Sequence, residues 1–248
     1  MKIRPRGASA GGDAPDGAGA SFLRHPRHGP IPAILLLLTF GTGLIDALSV
    51  LGLGRVFVAN MTGNVVFIGF ALAHAPGFSL WGSIVALVAF LLGAAGGGVV
   101  VTRFEAHRGR LLRNALIVQL GLLLVGLVLW HLLGAINAQL AVLGALALAL
   151  GLQNSVVRHL AVPDLTTTVL TMTLTGIGAD LRRRDVPTAV RRGTSVVCML
   201  AGALGGAVVV LHSGVGAGLS AVTALTGVVL ILTALASRGQ PAWAGPPS

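Results

Sequence analysis

Apolar residues run in long blocks along this chain, and polar residues interrupt them at only a few places. Six blocks, approximately 31–51, 80–102, 112–133, 137–157, 190–212 and 215–236, are each long enough to cross about 30 Å of hydrocarbon as a helix of roughly 20 residues. Two further blocks, about 56–73 and 165–181, are shorter and carry polar, glycine-bearing stretches. These are Asn60-Met61-Thr62-Gly63-Asn64 and Thr171-Met172-Thr173-Leu174-Thr175-Gly176. The pattern predicts an all-α fold over 31–236: a polytopic membrane bundle of about six spanning helices plus two shorter polar helices, re-entrant or broken. Residues 1–30, rich in Gly, Pro, Ala and Arg without an apolar period, predict a disordered basic cytoplasmic tail. Residues 237–248 predict a second disordered tail. The run Ile31–Leu38 follows a long basic stretch with no clean cleavage site after it, so it reads as the first span and not as a cleaved signal peptide.

Composition narrows this further. The 248 residues are 54% hydrophobic and only 10% charged, against roughly 25% charged in soluble domains. The 36 glycines lie inside apolar runs and read as close-packing residues of membrane helices, whose Gly-rich faces also offer a homo-oligomer contact. A single cysteine, Cys198, leaves no disulfide framework, and neither a metal nor a cofactor is expected. A net charge of +10 in a soluble protein would point to nucleic acid. Here the basic residues gather in the tail and in two short connections, which is a topology signal, so the expected partner is the lipid bilayer and not nucleic acid.

That signal sets a parity. The tail carries Lys2, Arg4, Arg6, Arg24 and Arg27; the next basic region carries Arg103, Arg108, Arg110 and Arg113; the third carries Arg182, Arg183, Arg184, Arg191 and Arg192. The connections at 74–79, 132–136 and 213–214 carry no Lys or Arg. All three basic regions face the cytoplasm only if an even number of crossings separates each successive pair. This holds when the two short polar segments enter the membrane without crossing it, which requires protein or a wet cavity to satisfy their backbone. Seven or eight ordinary spans are the alternative, with the charge bias broken in one connection.

The halves, about 31–133 and 137–236, echo each other. Gly43-Leu44-Ile45-Asp46-Ala47 resembles Gly151-Leu152-Gln153-Asn154-Ser155 at an offset of 108, and Gly93 with Gly97 resembles Gly202 with Gly206 at an offset of 109. Met61-Thr62-Gly63 parallels the stretch ending Thr175-Gly176. With three spans per half the repeat is inverted, and such repeats place a binding site at their interface near the midplane.

Polar residues inside these blocks are the site candidates. A carboxylate such as Asp46 costs on the order of 3 kcal/mol at a bilayer centre. It predicts a coupling group for a proton or sodium ion, a substrate contact, or a structural pair with Arg55. Gln153 and Asn154 predict a polar substrate contact or interhelical hydrogen bonds. Asn60, Thr62, Gly63 and Asn64 predict an unwound, ion-coordinating backbone or a kinked helix with capped ends. Thr166, Thr167, Thr168, Thr171, Thr173 and Thr175, with Gly176, predict a hydroxyl-rich counterpart, although such hydroxyls commonly return to their own helix. Asp180 beside Arg182–Arg184 predicts an interfacial ion pair, and His131 and His212 sit at connection edges. No paired-histidine metalloprotease motif, nucleophile elbow or Walker loop is present, so an enzyme is not expected.

The segments Gly43–Ala47, Phe57–Asn64 and Gly151–Asn154, followed by the Thr-rich stretch, resemble the YoaK family of small bacterial integral membrane proteins. The block Ala59-Asn60-Met61-Thr62-Gly63-Asn64 is the most specific part, and the resemblance covers about 31–236. It implies one membrane domain in a bacterial inner membrane with a domain of unknown function, and it supplies no substrate. The resulting expectation is a small transporter or permease for a solute or ion, with both termini cytoplasmic. A non-transporting scaffold or accessory subunit is the alternative.

Overall fold

The computed structural model describes residues 29–162, 170–238 and 242–244. Most of the two tails, and Thr166 to Thr168, lie outside the described residues. A backbone in hydrocarbon must satisfy its polar groups internally, and this chain does so with helices: α1 (Ile31–Gly52), α2 (Met61–Leu72), α3 (Leu80–Phe104), α4 (Arg108–Leu160), α5 (Leu170–Arg183) and α6 (Val186–Ala236), then a short 3₁₀ turn at Ala242–Ala244. Of these, α1, α3, α4 and α6 are long and apolar enough to cross a membrane. Exposed leucines and valines cover the outside, among them Leu91, Leu92 and Val99 on α3 and Leu200, Leu204 and Leu211 on α6. Water does not tolerate so extensive an apolar surface, and lipid does. The chain is an all-helical membrane protein.

At 53 and 51 residues, straight α4 and α6 would far exceed the hydrocarbon thickness of about 30 Å. Each breaks at one glycine, Gly134 (φ 73, ψ 163) and Gly214 (φ 82, ψ 176), a conformation that side-chain-bearing residues avoid. Both helices fold back there. In α4, Gln119 donates to Gln153 at 2.7 Å and Arg108 donates to the Leu160 carbonyl, so the arms α4a (108–133) and α4b (135–160) run antiparallel. In α6, Gly218 lies against Val210, joining α6a (186–213) to α6b (215–236). The sequence predicts separate helices with loops between them, whereas the connection is a single non-helical residue in each. The helices also run past the predicted block ends: Arg103 lies in the last turn of α3 and Arg182 and Arg183 in that of α5. Backbone hydrogen bonding continues into polar residues where burial no longer selects apolar ones.

Packing follows the small residues. α1 lies along α6a and α3 along α4b, each pair pointing the same way. A side chain at Gly206 would stand 2.8 Å from the Leu44 carbonyl oxygen, and one at Gly97 would stand 2.8 Å from that of Leu152. Gly202 meets the Phe40 carbonyl as Gly93 meets that of Leu148. From the other side, Gly43 faces Met199 and Ala203, and Gly151 faces Phe90 and Ala94. Each residue of one interface stands 108 or 109 positions from its counterpart in the other. α4a and α6b complete the bundle antiparallel, with Gly109 beside Ser237 and Gly216 beside Trp130 and His131.

These contacts define two ends. Gly29 meets Trp243 at the end where Arg108 meets Leu160 and Gly109 meets Ser237. Gly52 meets Val215 and Gly54 meets Gln139 at the other. The chain leaves α1 and enters α3 at this second end, where Arg55 lies against Gly77. α2 rests on α3 and α5 on α6.

The tight glycine contacts predict a contrast. Gly151→Val forces backbones apart and is expected to cost about 1–3 kcal/mol. Gly96→Val, on an α3 face with nothing within 4 Å, is expected to leave stability unchanged. Denaturant unfolding in bicelles measures both.

Candidate functional site

α1 carries a buried polar stripe. Thr39, Thr42, Asp46 and Ser49 recur at helical spacing and share one face. The hydroxyls of Thr39, Thr42 and Ser49 donate to the carbonyls of Leu35, Leu38 and Asp46 at 2.8, 2.9 and 3.1 Å. Thr42 Oγ1 also accepts from Gln153 Nε2 at 3.2 Å, and Gln153 Oε1 accepts from Gln119 Nε2 at 2.7 Å. This chain of side chains links α1, α4b and α4a near mid-length of α1 and α4a. Beside it lies a small cavity lined by Leu38, Gly41 and Ile45 of α1, Gln119 and Gln153, and Thr226 of α6b among others. About 10 Å³ of it is open to the centre of a water molecule, room for roughly one water. α1 packs extensively on α6 and α3 on α4, whereas α1 and α4 approach closely only over a short stretch. The polar chain and the cavity therefore sit where the two packed units meet.

Asp46, 7% exposed, lies one turn beyond Thr42. After α1 the chain turns through Gly54 (φ 93) and Arg55 (φ 57), and Leu53, Val56, Val58 and Ala59 are then buried again. Val58 and Ala59 share a buried cluster with Leu44, Ile45 and Leu48 of α1, and Asp46 Oδ1 has no hydrogen-bond partner among the described residues.

The Asn60–Asn64 block builds this return. The Asn60 side chain accepts from the Gly63 amide at 3.3 Å and caps α2. The fully buried Asn64 accepts from the Phe57 amide at 3.0 Å and donates to the Phe57 carbonyl at 2.6 Å. Glycine at 63 leaves room for the Phe57 ring, which a Cβ would approach to 2.8 Å. Phe57 stacks on Phe67 with centroids 5.7 Å apart. Thr62 is exposed.

The predicted candidates thus fall into separate groups. Asp46, Asn60, Gly63 and Asn64 lie in or beside one loop, and Gln153 belongs to the chain from Thr42 to Gln119. Asn154, half-buried, holds the position 108 residues after Asp46. Thr175 is exposed, its hydroxyl donating to the Thr171 carbonyl at 2.9 Å, and Gly176 lies under the Arg192 guanidinium. Both stand on α5, away from the other two groups. The Thr-Gly echo is out of register, since Gly63 lies in the first turn of α2 and Gly176 in the middle of α5. Asp180 pairs with Arg192 of α6 at 3.2 Å rather than with its neighbours in sequence, and Arg55 packs on Gly77 instead of reaching Asp46. Thr42, Gln119 and Thr226 were not among the predicted site residues. Their signal was a polar side chain inside a predicted span, with no motif around it.

Residues 34–235 match the family described as a protein of unknown function, DUF1275. The chain belongs to that family. It is 28% identical over 152 residues to the UPF0700 transmembrane protein YoaK of Bacillus subtilis (strain 168), an alignment covering 61% of this chain and 67% of that protein. No solved structure matches it. The DUF1275 match runs from α1 into α6b, so the polar chain and the Asp46 loop both lie within the family's domain.

The Asn64 bonds predict that Asn64→Ala destabilises the protein by about 1–3 kcal/mol, because both polar groups of Phe57 lose their partner. Thr62→Ala is expected to be neutral. Thermal unfolding in detergent distinguishes the two.

Proposed function

We propose that this chain is a small permease of the bacterial inner membrane, moving an uncharged hydrogen-bonding solute through a site between two inverted halves. The observation that carries this is the Gln119–Gln153–Thr42 chain beside a cavity at the meeting of the two packed units. Among the described residues its lining offers amides and a hydroxyl and no ionisable side chain, which suits a neutral polar solute better than an ion. The cavity admits about one water, so this conformation is closed, and passage requires the α1–α6 and α3–α4 units to part.

In this reading α1, α3, α4a, α4b, α6a and α6b are six spans, and α2 and α5 enter without crossing. The return of the chain to one end between α1 and α3 supports this, as does the clustering of Arg103, Arg108 and Arg182–Arg184 toward the other end. That other, basic end is then cytoplasmic and holds both termini. The matched α1–α6a and α3–α4b interfaces support an inverted repeat. The chain acts as a carrier and not as an enzyme. The small cavity favours one second reading, a non-transporting subunit of a membrane complex.

Osmotic swelling of liposomes containing the full chain, challenged with urea, glycerol and larger polyols, tests the proposal. Faster entry of at least one solute is expected, slowed about tenfold in Gln119→Leu as a site hydrogen bond is lost. Liposomes as tight as protein-free ones to every solute, with the protein folded and inserted, would contradict it and favour the second reading.

A further inference from the structure

A hydroxyl carries one proton, and Thr42 gives its own to the Leu38 carbonyl at 2.9 Å. Toward Gln153 the Thr42 oxygen can therefore only accept, so the Gln153 amide turns its nitrogen to it, at 3.2 Å. The Gln153 side-chain oxygen then faces Gln119 and accepts from Gln119 Nε2 at 2.7 Å. The two ends of a carboxamide have nearly the same shape, so this order of bonds fixes which way each amide points. Every donor in the chain points from Gln119 toward Leu38. The atom left at the head is Gln119 Oε1, an acceptor with no hydrogen bond among the described residues. Gln119 is 3% exposed and lines the cavity between the packed units. Reversing the chain would take Thr42 off the Leu38 carbonyl and place an NH2 group at the head. The hydroxyl thus decides the polarity of the site.

A second acceptor stands on a different helix. Thr226 of α6b also lines the cavity, and its proton goes to the Val222 carbonyl at 2.9 Å. What the Thr226 hydroxyl has left to offer is its lone pairs. Each glutamine amide keeps one further N–H, enough to serve an oxygen of a solute. The other side chains of the lining are apolar. A solute held here therefore faces acceptors on both α4a and α6b. One that brings no N–H or O–H leaves them buried and unmatched, and such a mismatch is how a polar site rejects the wrong partner.

We propose that the site selects solutes carrying at least two N–H or O–H donors, such as ureas and small polyols, over polar solutes that only accept. Gln119 Oε1 and Thr226 Oγ1 bind the donors. Thr42 is a positioning residue that sets the selectivity through Gln153. This selectivity rests on the permease reading, but it concerns which solutes enter, whereas that reading requires only that one does.

Stopped-flow swelling of liposomes containing the full chain tests this with urea and ethylene glycol against dimethyl sulfoxide and trimethylamine N-oxide. Each rate is taken above that of protein-free liposomes. N,N′-Dimethylurea, bulkier than dimethyl sulfoxide but with an N–H on each nitrogen, controls for size. The donor solutes are expected to enter at least about tenfold faster than the acceptors, the effect of one unmatched buried acceptor. Thr42→Val lets the Gln153 amide rotate and is expected to narrow that ratio to about threefold or less. Thr226→Val keeps the shape and removes one acceptor, and it is expected to narrow the ratio as well. A merely destabilised protein would slow all the solutes alike and leave the ratio unchanged. Equal entry of donor and acceptor solutes, N,N′-dimethylurea as slow as dimethyl sulfoxide, or an unchanged ratio in folded Thr42→Val would each overturn the proposal and leave the permease reading standing. Liposomes tight to every solute would overturn both. Where a variant does not fold, the ratio in the unaltered chain decides the question.

Discussion

Backbone meets backbone at two places in this bundle, and everything else is arranged around them. Gly43, Gly202 and Gly206 let α1 lie directly on α6a, and Gly93, Gly97 and Gly151 let α3 lie directly on α4b. In lipid there is no hydrophobic drive between helices, so association depends on such close van der Waals approach. The pairing joins the first helix of the chain to its last long helix and leaves α1 and α4 in close approach only briefly. That seam is where the polar chain from Thr42 to Gln119 and its cavity lie.

A seam between helices has to be filled, and an irregular segment inside a membrane protein must have each backbone group satisfied by protein. Segment 53–60 meets this demand with side chains standing in for a helix ladder. Asn64 answers both polar groups of Phe57, and Asn60 answers the Gly63 amide. The polar block 60–64 reads as a binding motif in sequence, and in three dimensions its asparagines are occupied with the backbone. Asp46 Oδ1, like Ser83 Oγ and Ser195 Oγ, is a buried oxygen with no hydrogen-bond partner among the described residues.

Much of the fold was legible. The six apolar blocks correspond to α1, α3 and the four arms of α4 and α6, because length and apolarity suffice to define a span. Gly134 and Gly214 were not legible as hairpin turns, since nothing local separates them from the many glycines that only pack. The 108 and 109 offsets pointed to residues that do form matching contacts, while the Thr-Gly echo did not hold register. At the site, Asp46 stood out as a charge in an apolar run. The pairing of Thr42 with Gln153, 111 residues apart, depends on tertiary packing that no local pattern encodes, and so Gln119 and Thr42 passed as ordinary interior residues.

In the proposed topology the segments holding α2 and α5 enter the bundle without crossing, so that six spans carry two inverted halves. Single cysteines at Ser79→Cys and Arg184→Cys, in a Cys198→Ala background, test it through sided labelling with a membrane-impermeant maleimide. Ser79 lies at the start of α3 and Arg184 just before α6, at the two opposite ends of the bundle. Inverted halves predict labelling of the Ser79 position from outside the cell only and of the Arg184 position from the cytoplasmic face only. Labelling of both from one face would contradict them.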